Sequence, residues 1–224
     1  MIADISALAA AAQLEIMGTF HPNASDRLPP EVQTLVLLGP AEPGFWAHFT
    51  QSPEACDGQP NPMDRWSTRV IGKIAEQLGH DTQPLFPFGG KPFHPFYSWA
   101  LRSGRAFAAP VHFLVHDTAG LHVSYRGALA LTARLDIAPP NAASPCDGCA
   151  QKPCLTACPV QALGPINAGR PTGYNVDVCQ THLGTAEGQA CMDGGCLARG
   201  ACPVSQRYGR LAAQSSFHMR QFKK

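Results

Sequence analysis

Apolar and polar positions along this chain switch between helical and strand periods, with proline and glycine marking the changes. Residues 3–13 are alanine-rich and predict a first helix, and Leu14 to Phe20 predicts a strand that ends at His21-Pro22-Asn23. After Leu28-Pro29-Pro30, the run from Thr34 to Leu38 is continuously apolar apart from its first residue, the pattern of a strand covered on both faces. Gly39-Pro40 closes it, and Gly44 to Thr50 fits a helical turn. From Pro62 onward, Met63, Trp66, Val70, Ile74 and Leu78 recur at helical spacing. Pro62 suits the first turn of that helix and Gly79 its stop.

An extended stretch near Gln83–Phe88 leads into Gly89-Gly90, and Phe93 to Leu101 predicts a turn followed by a helix. Val111–His116 and Leu121–Tyr125 read as two strands joined across Asp117 to Gly120 in a hairpin. Gly127–Leu131 fits a helix or a strand. Ile137–Pro145 is a linker by composition, dividing an α/β body, residues 1–140, from a second domain, residues 141–224. The tail from Phe217 to Lys224 mixes aromatics with cations, suited to an acidic redox partner, although a frayed terminus is the simpler expectation.

The second domain changes the picture, because it holds eight of the nine cysteines. One run is Cys146, Cys149, Cys154 and Cys158-Pro159; the other is Cys179, Cys191, Cys196 and Cys202-Pro203. Thiolates are soft donors that suit iron–sulfur cores, and a cubane takes four of them. Two runs that each end in Cys-Pro match the arrangement in which the last cysteine of each run ligates the other run's cluster. The spacing therefore assigns Cys146, Cys149, Cys154 and Cys202 to one [4Fe-4S] cluster, and Cys158, Cys179, Cys191 and Cys196 to a second.

Structural zinc would also use sets of four cysteines, but zinc ribbons show two well-separated pairs, which the tight first run does not resemble. A disulfide framework suits small secreted domains, and this chain has enough apolar sequence for a core of its own. Cys56, alone in a Gly/Pro-rich loop, reads as an uninvolved thiol. A formal net charge of +1 offers no field to attract nucleic acid or an anionic membrane. The N-terminus lacks a basic n-region, and no apolar stretch is long enough to span a bilayer, so the expected location is cytoplasmic.

In the body, His112, His116 and His122 gather around the expected hairpin. His116 is a candidate for a metal role, or for capping the turn. The segment from Phe86 to Trp99 is rich in aromatics and glycine; it fits the wall of a flat cofactor pocket or a packing interface. Arg126 fits a cofactor side chain or a surface ion pair.

Two resemblances attach to these motifs. The stretch Gly120–Leu131, the Cys-Pro-terminated runs and Tyr174–Cys179 resemble the epoxyqueuosine reductases. That likeness implies a corrinoid-binding, nitroreductase-like body ahead of a bacterial two-[4Fe-4S] ferredoxin-like domain. Leu28-Pro-Pro, the run at Thr34–Leu38, Asn61 to Arg65 and Val115–Gly127 are similar to the CblC-type cobalamin-processing proteins. The resemblances imply an iron–sulfur protein that passes electrons to cobalamin, acting as a reductase or cobalamin-processing oxidoreductase, with FMN as a further candidate cofactor. The residues they put beside the corrinoid are His116, Gly120, Tyr125, Arg126 and Gly127; they name no catalytic residue. No Asp or Glu lies between Thr82 and Val115 to act as the reductases' proton donor, so a tRNA substrate is not expected. The expected partner is a redox protein that donates electrons, and the alternative reading is a ferredoxin-like carrier with no organic cofactor.

Overall fold

The computed structural model describes residues 1–137, 139, 143–163 and 173–223, so the centre of the expected linker lies outside the described residues. In chain order the elements begin with α1 (Ile2–Ala11), β1 (Leu14–Phe20), β2 (Thr34–Pro40), α2 (Gly44–Thr50) and α3 (Pro53–Cys56). They continue with α4 (Pro62–Leu78), β3 (Thr82–Leu85), α5 (Phe96–Arg102), β4 (Ala106–Ala108), β5 (Leu114–His116) and β6 (Gly127–Leu131). The last five are α6 (Val176–Leu183), α7 (Gln189–Gly194), α8 (Leu197–Gly200), α9 (Pro203–Arg207) and α10 (Ala212–Phe222). This is a mixed α/β fold. No helix among the described residues is long and apolar enough to cross a membrane.

The chain divides into two compact units, and the division differs from the linker boundary expected at residue 140. One unit comprises Met1–Arg105 and Ser124–Ala142; the other comprises Ala106–Val123 and Ala143–Lys224. The cause is that residues 106–123 pack among the cysteine runs: Ala109, Val111, Val115 and Leu121 share a buried cluster with Cys154 and Cys202.

The first unit is built on an antiparallel sheet in the order β1-β2-β6-β3. Every residue of β2 and β6 is buried, which explains their unbroken apolar sequences. Gly127 faces α4: a Cβ there would come within 2.7 Å of Ile71 Cδ1. Leu38 stands opposite Gly127, so Val36, Leu38, Leu129 and Leu131 share the face that α4 covers. Gly18 pairs with Leu37 and points to the other face, where a Cβ would meet Ser103, just past α5. The register slips between Ile16 and Gly18, making Met17 a bulge, and Arg105 Nη1 donates to the carbonyl of Ile16 at 2.8 Å. Helix α4 buries Met63, Trp66, Ile71, Ile74 and Ala75. Val70 and Leu78 of the predicted stripe are only half-buried, because the contact face turns toward Ile71 and Ala75.

In the second unit the hairpin is not the expected one. Strand β5 pairs with β4 upstream, and residues 121–125 form no strand. The turn after β5 closes on itself through paired bonds between His116 and Gly120, whose φ is +57°. Beyond it the backbone is held by side chains in place of a partner strand. Ser205 Oγ accepts from the Leu121 N–H at 2.8 Å, Arg199 Nη1 donates to the Leu121 carbonyl at 3.0 Å, and Arg210 Nη1 donates to the His122 carbonyl at 2.9 Å.

The tail is likewise not frayed. Its residues to Phe222 belong to α10, which packs on α7, with Ser215 so close to Gly195 that a Cβ on the glycine would lie 2.6 Å from Ser215 Cβ.

Candidate metal centre

The first set of thiols is assembled by a 3-10 turn, a short helix and the hairpin. Cys154 sits in the turn Pro153–Leu155, against which α8 packs, and Cys202 begins α9 immediately after α8. Cys146, Cys149, Cys154 and Cys202 all line one cavity of about 460 Å³, walled on the apolar side by Val115 and Leu121. Cys154 and Cys202 are buried and Cys146 packs against them. Burial pushes the Cys154 thiol up, and the neighbours that push it further are Cys146, Cys202 and Cys149. Cys146 is raised by burial as well, with a hydrogen bond from Ser144 opposing and Cys202 and Cys149 reinforcing the shift.

The second set is assembled by backbone pairing between the two cysteine runs. Cys158 Sγ accepts from the Ala162 N–H at 3.3 Å, and the Ala162 carbonyl accepts from the Asn175 N–H at 2.9 Å. Asn175 caps α6 through its side chain, and its carbonyl accepts from the Cys179 N–H at 3.2 Å. The last cysteine of the first run is thereby carried to the start of the second. Burial raises the Cys179 thiol, opposed by a hydrogen bond with the Tyr174 hydroxyl and reinforced by Cys196 and Cys158. Burial also raises Cys191, with the Leu197 N–H opposing and Cys196, Cys158 and Cys179 reinforcing. In all four shifts the only thiols that act belong to the set assigned by spacing.

No group of three or more His, Cys, Asp or Glu side chains that could share a single metal ion occurs among the described residues. A cubane makes a different demand: each of its irons takes one thiolate, so the ligands surround a body instead of meeting at a point. Four soft donors around a cavity fit that demand in the first set. In the second set, the N–H group on Cys158 and the Tyr174 hydroxyl on Cys179 are donors of the kind that cluster thiolates take. The eight cysteines form no disulfide, and neither does Cys56, which is exposed in the first unit with its Sγ 3.5 Å from the Thr50 carbonyl.

The residues expected beside a corrinoid fall in both units. His116 is fully buried in the second unit, where its Nδ1 accepts from the N–H groups of Thr118 and Ala119 at 3.2 and 3.3 Å. That nitrogen caps the turn. Gly120 is needed for packing, since a Cβ would stand 2.4 Å from the Ser205 backbone nitrogen. In the first unit, the Tyr125 ring packs near Phe96, and Gly127 admits Ile71. The Arg126 side chain is largely buried, 3.5 Å from Asp64 and over the Phe88 ring. His112 adopts a φ of +59°. Burial, then Arg210 and Arg199, push His122 down to about 4, which keeps it neutral at physiological pH. Phe86 and Phe88 stack on each other in the first unit, while Phe93 and Tyr97 are exposed.

Sequence reasoning passed over Ser205, Arg199 and Arg210, which hold the hairpin segment beside the first thiol set. The only available signal was their position within or just after the second cysteine run. Comparison with family models finds no match, and comparison with curated proteins finds none either.

Proposed function

We propose that this protein is an iron–sulfur electron-transfer protein carrying two [4Fe-4S] clusters. Cys146, Cys149, Cys154 and Cys202 would hold one, and Cys158, Cys179, Cys191 and Cys196 the other. The observation that carries this reading is that Cys146, Cys149, Cys154 and Cys202, drawn from both runs, line one cavity, while backbone bonds through Ala162 and Asn175 join Cys158 to the start of the second run. A bound cluster supplies one-electron storage and relay at a potential set by burial, charge and hydrogen bonds to sulfur. The chain's own part is to provide thiolates, to keep water from Cys154, Cys191 and Cys202 by burial, and to direct N–H donors at Cys158 and Cys191.

The resemblance to epoxyqueuosine reductase-like and CblC-type proteins supports cobalamin as the acceptor, with the first unit as a nitroreductase-like body and FMN as a lesser candidate. One observation favours the simpler reading of a ferredoxin-like carrier without an organic cofactor. Gly120, Gly127 and His116 Nδ1 are each already committed to packing or capping within their own unit.

Anaerobic purification with iron and sulfide assay tests the first claim, with about eight irons per chain expected for two cubanes. Stoichiometric zinc with little iron would overturn it. A cob(II)alamin titration followed by EPR then separates the acceptors: a changed cobalt coordination signal supports the corrinoid, and an unchanged one supports the carrier.

A further inference from the structure

Arg199 lies on α8, three residues after Cys196 and three before Cys202, on the short helix that joins the two ligand sets. Its guanidinium stands 4.2 Å over the ring of Phe113, and its Nη1 donates to the carbonyl of Leu121, a wall residue of the first set's cavity. Phe113 meets the ring of Tyr174 edge-on at 5.8 Å, and the Tyr174 hydroxyl is hydrogen-bonded to Cys179 of the second set. One side chain therefore connects the wall of one set to a ring that bears on the other.

No Asp or Glu forms an ion pair with Arg199 among the described residues. Burial works against the charged guanidinium, and the groups that favour it are Cys196 and then Tyr174. A guanidinium has five N–H donors, and a partly desolvated one without a carboxylate is costly unless another anion compensates it. An all-thiolate cubane carries net negative charge and gains one more negative charge on reduction. Two such centres on one small unit repel each other, and a fixed cation between them offsets that repulsion most in the reduced state.

We propose that Arg199 is the shared counter-ion of the two clusters, raising their potentials and letting both hold electrons. The inference rests on the two-cluster reading. As a positioning residue, Arg199 acts through its charge, and the stack on Phe113 serves to hold that charge in place.

The test is a dithionite redox titration, followed by EPR, of the full-length protein reconstituted anaerobically. Arg199→Met is expected to lower the reduced fraction of each cluster about tenfold at fixed potential, a downward shift of about 59 mV for a one-electron couple; a shift in one cluster alone would overturn the shared role. Arg199→Lys, which keeps the charge without the fork or the stack, is expected to stay within about threefold of wild type, as is Phe113→Leu, which leaves the bond to Leu121 to hold the charge. Where Arg199→Met does not retain iron, Arg199→Gln, which keeps a donor for Leu121, takes its place with the same expected shift. Full iron with unchanged potentials in the neutral variant would overturn the counter-ion role, as would an equal shift in Arg199→Lys. Wild-type protein that takes up no iron would instead overturn the two-cluster reading beneath it.

Discussion

At the scale of single residues, the most demanding position is Gly120. Its φ of +57° and the Ser205 backbone nitrogen 2.4 Å from a would-be Cβ leave no room for a side chain. Gly120→Ala is expected to cost about 2–3 kcal/mol. Because Ser205 follows Cys202 on α9, the two-cluster reading expects iron at the first thiol set to be lost before iron at the second; urea denaturation and iron content check both. Glu54 makes a different kind of residue-level contribution. Its nearly buried carboxylate accepts two bonds from Arg69, which hold its pKa at about 2. A carboxylate depressed in the folded state stabilises fully above its unfolded pKa, and that stability is lost as pH falls through the folded one. Stability should therefore decline between about pH 4.5 and 2, and Glu54→Gln should flatten that part of the profile. Since the Arg69 side chain is half exposed, the loss at neutral pH should be only about 1 kcal/mol by denaturant midpoint.

At the scale of elements, α4 was legible from its period because it has one wet face and lies between a proline and a glycine. Helix α4 begins at Pro62 and stops at Gly79, as its sequence says. The strand at 121–125 was not legible as absent, because its alternation of apolar and polar residues is genuine. What removes it is competition: Ser205, Arg199 and Arg210, some 80 residues away, satisfy its backbone before a partner strand can. Helix α10 shows the reverse, since a terminal segment of mixed polarity becomes ordered by docking on α7. Gly195, at φ 93° and ψ 179°, occupies a conformation that belongs to glycine and lies directly under Ser215. Gly195→Ala is expected to displace α10 and to lower iron content by about half, with loss of the EPR signal assigned to Cys179, Cys191 and Cys196. Retention of both signals would count against α10 as part of the second centre's scaffold.

At the scale of the whole molecule, the proposed crossing of ligands between runs would constrain function most, since it would tie the two centres into one unit. It makes a prediction that uncrossed ligation reverses. Cys158→Ser, in the first run, should give the same residual EPR spectrum as Cys179→Ser. Cys202→Ser, in the second run, should match Cys146→Ser. Each variant should keep about four of the eight irons expected for two cubanes.

The sequence by itself determined the sheet strands β1 and β2 and the helix α4, and its cysteine spacing is the basis of the two proposed thiol sets. Each depends on local periodicity or on ligand spacing, and both are properties of neighbours in the chain. Only the tertiary structure decided that residues 106–123 belong with the cysteines, that His116 caps a turn, and that Gly120 and Gly127 are packing glycines. Those outcomes depend on which distant side chain reaches a backbone group first, and on where a second element leaves no space for a Cβ. Arg199 belongs to the same class: its place between two cysteines was visible, but its lack of a carboxylate partner among the described residues is a fact of packing.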